Sequence, residues 1–262
     1  MRRFVVALLL ACTAASAHAA PGINLRWDAC VADGGVRNKT FACDTNTGSE
    51  KLVVSFQLPA DLTQVTGIEA AVDIPTPNTL PPAWWALSGA GACRNGSLSL
   101  VFGPAGDPVG CENAWWAGAP AGGVTYGVAF NGANFYRLSL IGALAPNAAT
   151  DLWTGTEYVA GTVTLSHAKT VGTSACPGCA DPVCLGLRHV KLSRPVGVGD
   201  IQLSAETAPN SSTVNWQGSA AGSYLYEDPL FPATRPSYRI VTCDAAVPAR
   251  NHTWGAIKSL YR

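Results

Sequence analysis

Apolar and polar residues alternate along much of this chain with a period of two. Leu52, Val54, Phe56 and Leu58 interleave with Val53, Ser55 and Gln57, and Ile68, Ala70, Val72 and Ile74 interleave with Glu69, Ala71 and Asp73. Successive side chains of a strand point to opposite faces, so each run predicts a strand with the first-named set turned inward. The same rhythm recurs at Leu98, Leu100 and Phe102, at Val124, Tyr126, Val128 and Phe130, and at Tyr136, Leu138 and Leu140. A strand over 155–167 would place Val159, Val163 and Leu165 on one face. Two more are predicted over 183–192 and 196–203, the second weakened by Gly197 and Gly199. Shorter extended runs occupy Ile23–Trp27 and Tyr238–Cys243. Asn131-Gly132 carries the residues of a tight hairpin turn.

Helical spacing emerges only at the end, where Trp254, Ile257, Leu260 and Tyr261 share a face behind a possible N-cap at Thr253. About eight strands, closely spaced and joined by Gly, Pro and Asn, predict an all-β fold. The expected architecture is an antiparallel two-sheet β-sandwich, jelly-roll or immunoglobulin-like, with a short C-terminal helix or tail. The sandwich is expected over 20–205, and 206–262 as an irregular extension packing on or beside it.

Residues 1–19 change the setting. Arg2 and Arg3 precede an apolar run, and Ala17-His18-Ala19 forms a small-x-small cleavage site, together the anatomy of a secretory signal peptide. The run is too short to span a bilayer, and no later stretch is long enough. The expected location is secreted, periplasmic or at the cell surface. A lipidated Cys12 is the weaker reading, because the cleavage site would go unused.

Eight cysteines remain after Cys12, and an even number in an exported chain points to disulfides. Proximity in sequence favours Cys30–Cys43 and Cys93–Cys111; the last four are harder to pair, and the pairing expected for them is Cys176–Cys184 across a hairpin loop with Cys179–Cys243 tying down the C-terminal region. Cys176-x-x-Cys179 could also belong to a zinc or redox site. A simple hairpin centred on Gly178 would set His167 opposite His189, but no second ligand pair completes a zinc signature. No metal or cofactor is expected. Asp44 to Glu50 alternates oxygen-bearing residues without the order of a calcium loop, so a turn is the better reading.

Charge removes other classes. Lys plus Arg and Asp plus Glu each number 17, and charged residues make up 13% of the chain. Clustered Lys and Arg, the footprint of a nucleic-acid partner, are missing. G-x-S-x-G, H-E-x-x-H and phosphate-binding glycine loops are absent as well. Glu69 and Asp73 share a strand face and are read as solvated. The expectation leans away from an enzyme. An extracellular hydrolase of polysaccharide or peptide is the alternative, and a purely structural envelope component a third reading.

One echo remains. Ala-Trp-Trp-Ala occurs twice, at 83–86 and 114–117, so four of the eight Trp lie close together. Trp84, Trp85, Trp115 and Trp116 are the candidate ligand-binding residues. On a strand, one member of each pair would fill the core and the other would face solvent as a stacking platform for a carbohydrate or a cell-surface protein.

The segments NLRWDAC, NKTFACDTNTG, GIEAAVDI, LPPAWW, GTEYVAGTVTLSHAKTVGTSACPGCADPVC and TWGAIKSLYR together resemble exported bacterial β-sandwich proteins to which no activity is assigned. The layout is also similar to cohesin-type and carbohydrate-binding modules. The resemblance implies a fold and transfers no site residues.

Overall fold

A computed structural model describes residues 21–75, 82–102, 111–128, 135–204 and 211–218, together with the strands at 222–227 and 238–243. Residues 1–19 with Cys12, the Asn131-Gly132 turn and the C-terminal helical run lie outside the described residues. In chain order the strands are β1 (Gly22–Trp27), β2 (Asn38–Lys39), β3 (Ser49–Gln57), β4 (Leu62–Val65), β5 (Gly67–Pro75), β6 (Leu98–Val101), β7 (Glu112–Asn113) and β8 (Ala121–Val128). They continue with β9 (Phe135–Ala143), β10 (Thr150–Leu152), β11 (Glu157–Ser166), β12 (Val183–Ser193), β13 (Ile201–Ser204), β14 (Thr213–Trp216), β15 (Gly222–Glu227) and β16 (Tyr238–Cys243). The fold is all-β. No helix among the described residues is long and apolar enough to cross a membrane.

Two sheets carry most of the strands. One has the order β1-β3-β11-β6, with β7 beside β6 along the same edge of β11. The other has the order β2-β14-β12-β5-β9-β8, with β13 also paired to β12. Pairing is mostly antiparallel, but the sheets are mixed, since β7 runs parallel to β11 and β2 parallel to β14. Both exceptions are two-residue strands in or beside cysteine-tethered loops. Such loops are laid along a free edge by their tethers, in whichever direction the chain arrives.

The alternation read from the sequence sets the core. Leu52, Val54 and Phe56 of β3, Ile68, Ala70, Val72 and Ile74 of β5, and Leu138 and Leu140 of β9 all belong to one buried cluster. In β11 the alternation slips. A bulge between Val159 and Gly161 sends Tyr158, Ala160, Val163 and Leu165 into that cluster and leaves Val159 against Cys30 and Val53 on the opposite face. The segment after residue 205 is also more regular than expected. β14 pairs with β12, and its Val214 and Trp216 are core residues. Val214 and Trp216 give it a single apolar repeat, too little to be read from sequence, where Leu98, Leu100 and Phe102 supply two around β6.

All four expected cysteine pairings are replaced. The bonds are Cys30–Cys111, Cys43–Cys179 and Cys93–Cys176, with sequence separations of 81, 136 and 83. Cys184 is disulfide-bonded too, so it does not pair with Cys176. The preference for near neighbours assumes that closing a short loop is much cheaper. The entropy grows only logarithmically with loop length, about 0.6 kcal/mol per doubling, so the topology of the sheets decides. Cys176 and Cys179 each bond to a different distant cysteine, which excludes the Cys-x-x-Cys redox or zinc reading. Nor do His167 and His189 face one another: one directly follows β11 of the five-stranded sheet, and the other lies within β12 of the seven-stranded sheet.

Candidate functional site

The first tryptophan pair is not a surface. Pro82 leads into a 3-10 turn over Ala83–Trp85, and both indoles are fully buried. Trp84 stacks on Trp216 with centroids 5.0 Å apart, while Trp85 meets Trp216 edge-on. The cysteine-rich loop clasps the turn from outside. Pro177 O accepts from Trp84 N at 2.8 Å, and Cys179 O accepts from Trp216 Nε1 at 2.7 Å. Arg94, also fully buried, lays its guanidinium 3.5 Å from the Trp84 ring centre. It donates to Trp84 O and Ala168 O at 2.8 and 3.0 Å, and to Ser166 O. Burial without a carboxylate partner lowers its pKa to about 10.

The second pair divides. Trp115 is buried, donates from Nε1 to Ala160 O at 3.0 Å, and packs edge-on against Phe102. A side chain at Gly142 would come within 2.7 Å of its ring, so glycine makes room for it. Trp116 is 55% exposed and lies nearly parallel to Trp153, itself 51% exposed, with centroids 6.2 Å apart and planes at 21°. Of the four candidate residues, then, only Trp116 is accessible. The partner it meets was not foreseen.

Local geometry explains how two loops meet there. After β7, Asn113 Oδ1 accepts from Trp115 N at 2.9 Å and turns the chain. After β10, Gly155 takes a left-handed φ of 79°, Asp61 Oδ1 accepts from Thr154 N at 2.8 Å, and Tyr158 Oη accepts from Trp153 N at 2.9 Å. Trp116 Nε1 then donates to Asp151 O at 3.2 Å, tying one loop to the other. Glu112, Asn113, Trp116, Trp153, Thr156 and Tyr158 line a depression of about 320 Å³. Glu112 is exposed and Tyr158 only 2% exposed. A clue to Trp153 was present in the sequence: a large aromatic directly before a Thr-Gly turn, where burial is hard to achieve.

A second hollow, about 490 Å³, opens at the end of β5 and β9, walled by Ile141, Leu144, Pro146 and Val196. It lacks an aromatic surface. Apolar stacking area and convergent polar groups occur together at the Trp116–Trp153 shelf, which makes it the stronger candidate.

Other sequence candidates resolve as structure. In the Asp44–Glu50 loop, Asn46 Oδ1 accepts from Thr170 N and Val171 N at 2.7 and 2.9 Å. Glu50 is engaged by His167 Nε2 at 2.9 Å and Lys39 Nζ at 2.7 Å. These oxygens hold neighbouring chain segments. Asp73 is not solvated as expected. It is fully buried, bound through both oxygens by Arg137 at 2.7 and 3.0 Å, with Arg188 3.4 Å away. Glu157 sits within ligand distance of Cys30 and Cys111, but those sulfurs are joined to each other. Its carboxylate accepts instead from Asn24 Nδ2, Ser55 Oγ, Val31 N and Ala32 N, pinning the tethered loop to the sheet.

No family model, curated protein or solved structure matches the chain.

Proposed function

We propose that this chain is an exported β-sandwich module that binds carbohydrate at the Trp116–Trp153 shelf without catalysing a reaction. One observation carries the reading. Two indoles from separate loops are held nearly parallel, 6.2 Å apart and half-exposed, beside a depression rimmed by hydroxyl, amide and carboxylate groups. Leaving two large aromatic faces in water is unfavourable unless something covers them. A sugar ring has an apolar C–H face for the indoles and hydroxyls for Asn113, Thr156 and Tyr158, which is the combination the shelf offers. Disulfides at Cys30–Cys111, Cys43–Cys179 and Cys93–Cys176 suit an oxidising compartment, in keeping with the leader-like N-terminus.

A glycosidase reading has less support. Hydrolysis of this kind uses two carboxyl groups flanking the bond, and Glu112 is the only carboxylate among the residues lining the shelf. The test is a titration of neutral oligosaccharides by calorimetry against the protein and its Trp116→Ala and Trp153→Ala variants. Each substitution should weaken binding about tenfold or more, in line with loss of a central aromatic contact, while thermal unfolding stays within a few degrees. Binding that survives both substitutions would overturn the shelf as the site.

A further inference from the structure

We infer that the shelf selects an amine-bearing sugar, with Glu112 as the residue that reads the charge. The inference rests on the carbohydrate reading above and adds the ligand's chemical class.

Three carboxylates surround the two loops. Glu112 lines the depression, Asp61 binds Thr154 N, and Asp151 binds Gln64 N while its carbonyl accepts from Trp116. Among the described residues none of the three forms an ion pair, and no Lys, Arg or His lines the depression. The Glu112 carboxylate has no hydrogen-bond partner among the described residues either, although its backbone pairs with β11. The Glu112 charge in the lining, with Asp61 and Asp151 on the flanking loops, repels uronates and sulfated sugars and attracts ammonium groups. The indole faces favour the same ligand charge, since a cation within about 6 Å of an aromatic centroid is attracted by the ring quadrupole.

Tyr158 narrows the class independently. Its side chain is buried and lines the depression, and its hydroxyl accepts from Trp153 N yet donates to no acceptor among the described residues. A buried O–H in that state calls for an acceptor oxygen. A tetraalkylammonium ion would satisfy the indoles and Glu112 but offers Tyr158 no acceptor. A pyranose carrying an amine supplies all three: a C–H face, an ammonium group and ring or hydroxyl oxygens.

The experiment compares three oligosaccharides of equal length at low ionic strength: glucosamine, N-acetylglucosamine and glucose oligomers, each titrated into the protein and into Glu112→Gln. An exposed ion pair together with a cation–π contact should make the glucosamine oligomer bind roughly 3- to 30-fold tighter than the neutral two. Glu112→Gln should bring the three to within about twofold, and about 0.5 M salt should do the same to the unaltered protein. Tetramethylammonium chloride should compete weakly. Equal binding of all three oligomers would overturn the charge preference and leave the shelf standing as a sugar site. A preference that persists in Glu112→Gln would overturn the assignment to Glu112. Failure of all three to bind would sink both readings together.

Discussion

The tetrapeptide Ala-Trp-Trp-Ala is used twice and to opposite ends. At 83–86 both indoles are interior, and at 114–117 one anchors the loop while the other stands in solvent. Composition cannot explain the difference, because the four residues are identical. Backbone and cover do. The first pair lies in a 3-10 turn, where adjacent side chains are not thrown to opposite sides, and Trp216, Arg94 and the Cys176–Cys179 clasp close over it. The second follows a strand of two residues, so Trp115 inserts between Phe102 and Gly142 and Trp116 is left outside. What an aromatic does is thus decided by which segments a distant disulfide brings over it.

The sharpest way to break this comparison is to remove one ring from each pair. Trp84→Ala should cost about 3–5 kcal/mol, because it opens a cavity in a rigid cluster and leaves Arg94 without its aromatic face. Trp116→Ala should change stability by no more than about 0.5 kcal/mol, since its ring contacts are at the surface. Urea unfolding followed by far-UV circular dichroism reads both. Equal losses would mean that the second pair is as structural as the first.

A smaller effect probes the cover alone. Arg94→Met keeps a chain of similar length over Trp84 but strands the carbonyls of Trp84, Ser166 and Ala168. Unsatisfied buried acceptors cost about 1–3 kcal/mol each when no water reaches them, and partial relaxation should hold the total near 2–4 kcal/mol. The same unfolding curves would report it. Unchanged stability would mean that the guanidinium is not what holds the 3-10 turn in place.

The strands bearing the longest alternations were legible because period two is a direct image of a pleated, one-sided strand. The short ones, β4, β7, β10 and β14, were not, since none of them holds three apolar residues in alternation. The bulge in β11 was invisible for another reason: it depends on how Gly161 passes Leu100 and Leu140, where a side chain would come within 2.9 and 3.1 Å. Trp116 could be singled out as half of a pair, whereas Trp153 offered only the hint of an aromatic before a Thr-Gly turn, because its role depends on Asp151, on Tyr158 and on a loop remote in sequence. The cysteine partners were hidden by the same dependence on tertiary placement, and with them the reason why Trp84 and Trp85 are covered.

The smallest effect contrasts the two histidines. His167 is held between Glu50 and Thr47 O just past the end of β11, stacked on Phe41. His189 is buried in the seven-stranded sheet, and its pKa is lowered, chiefly by desolvation. Arg188 and Arg137 push in the same direction, while Glu69 and Asp73 oppose them. A histidine whose folded pKa lies below its unfolded value of about 6.5 is fully compatible with the fold above that pH. As pH falls through about 6.5 the unfolded chain takes up the proton first, so stability declines, and the decline ends once the folded form is protonated too. His189→Gln, which cannot titrate, should flatten the part of the stability–pH curve just below 6.5, whatever it does to stability at pH 8. The check is urea unfolding at a series of pH values from 5 to 8 for both proteins. An unchanged slope in the variant would place the acid sensitivity elsewhere.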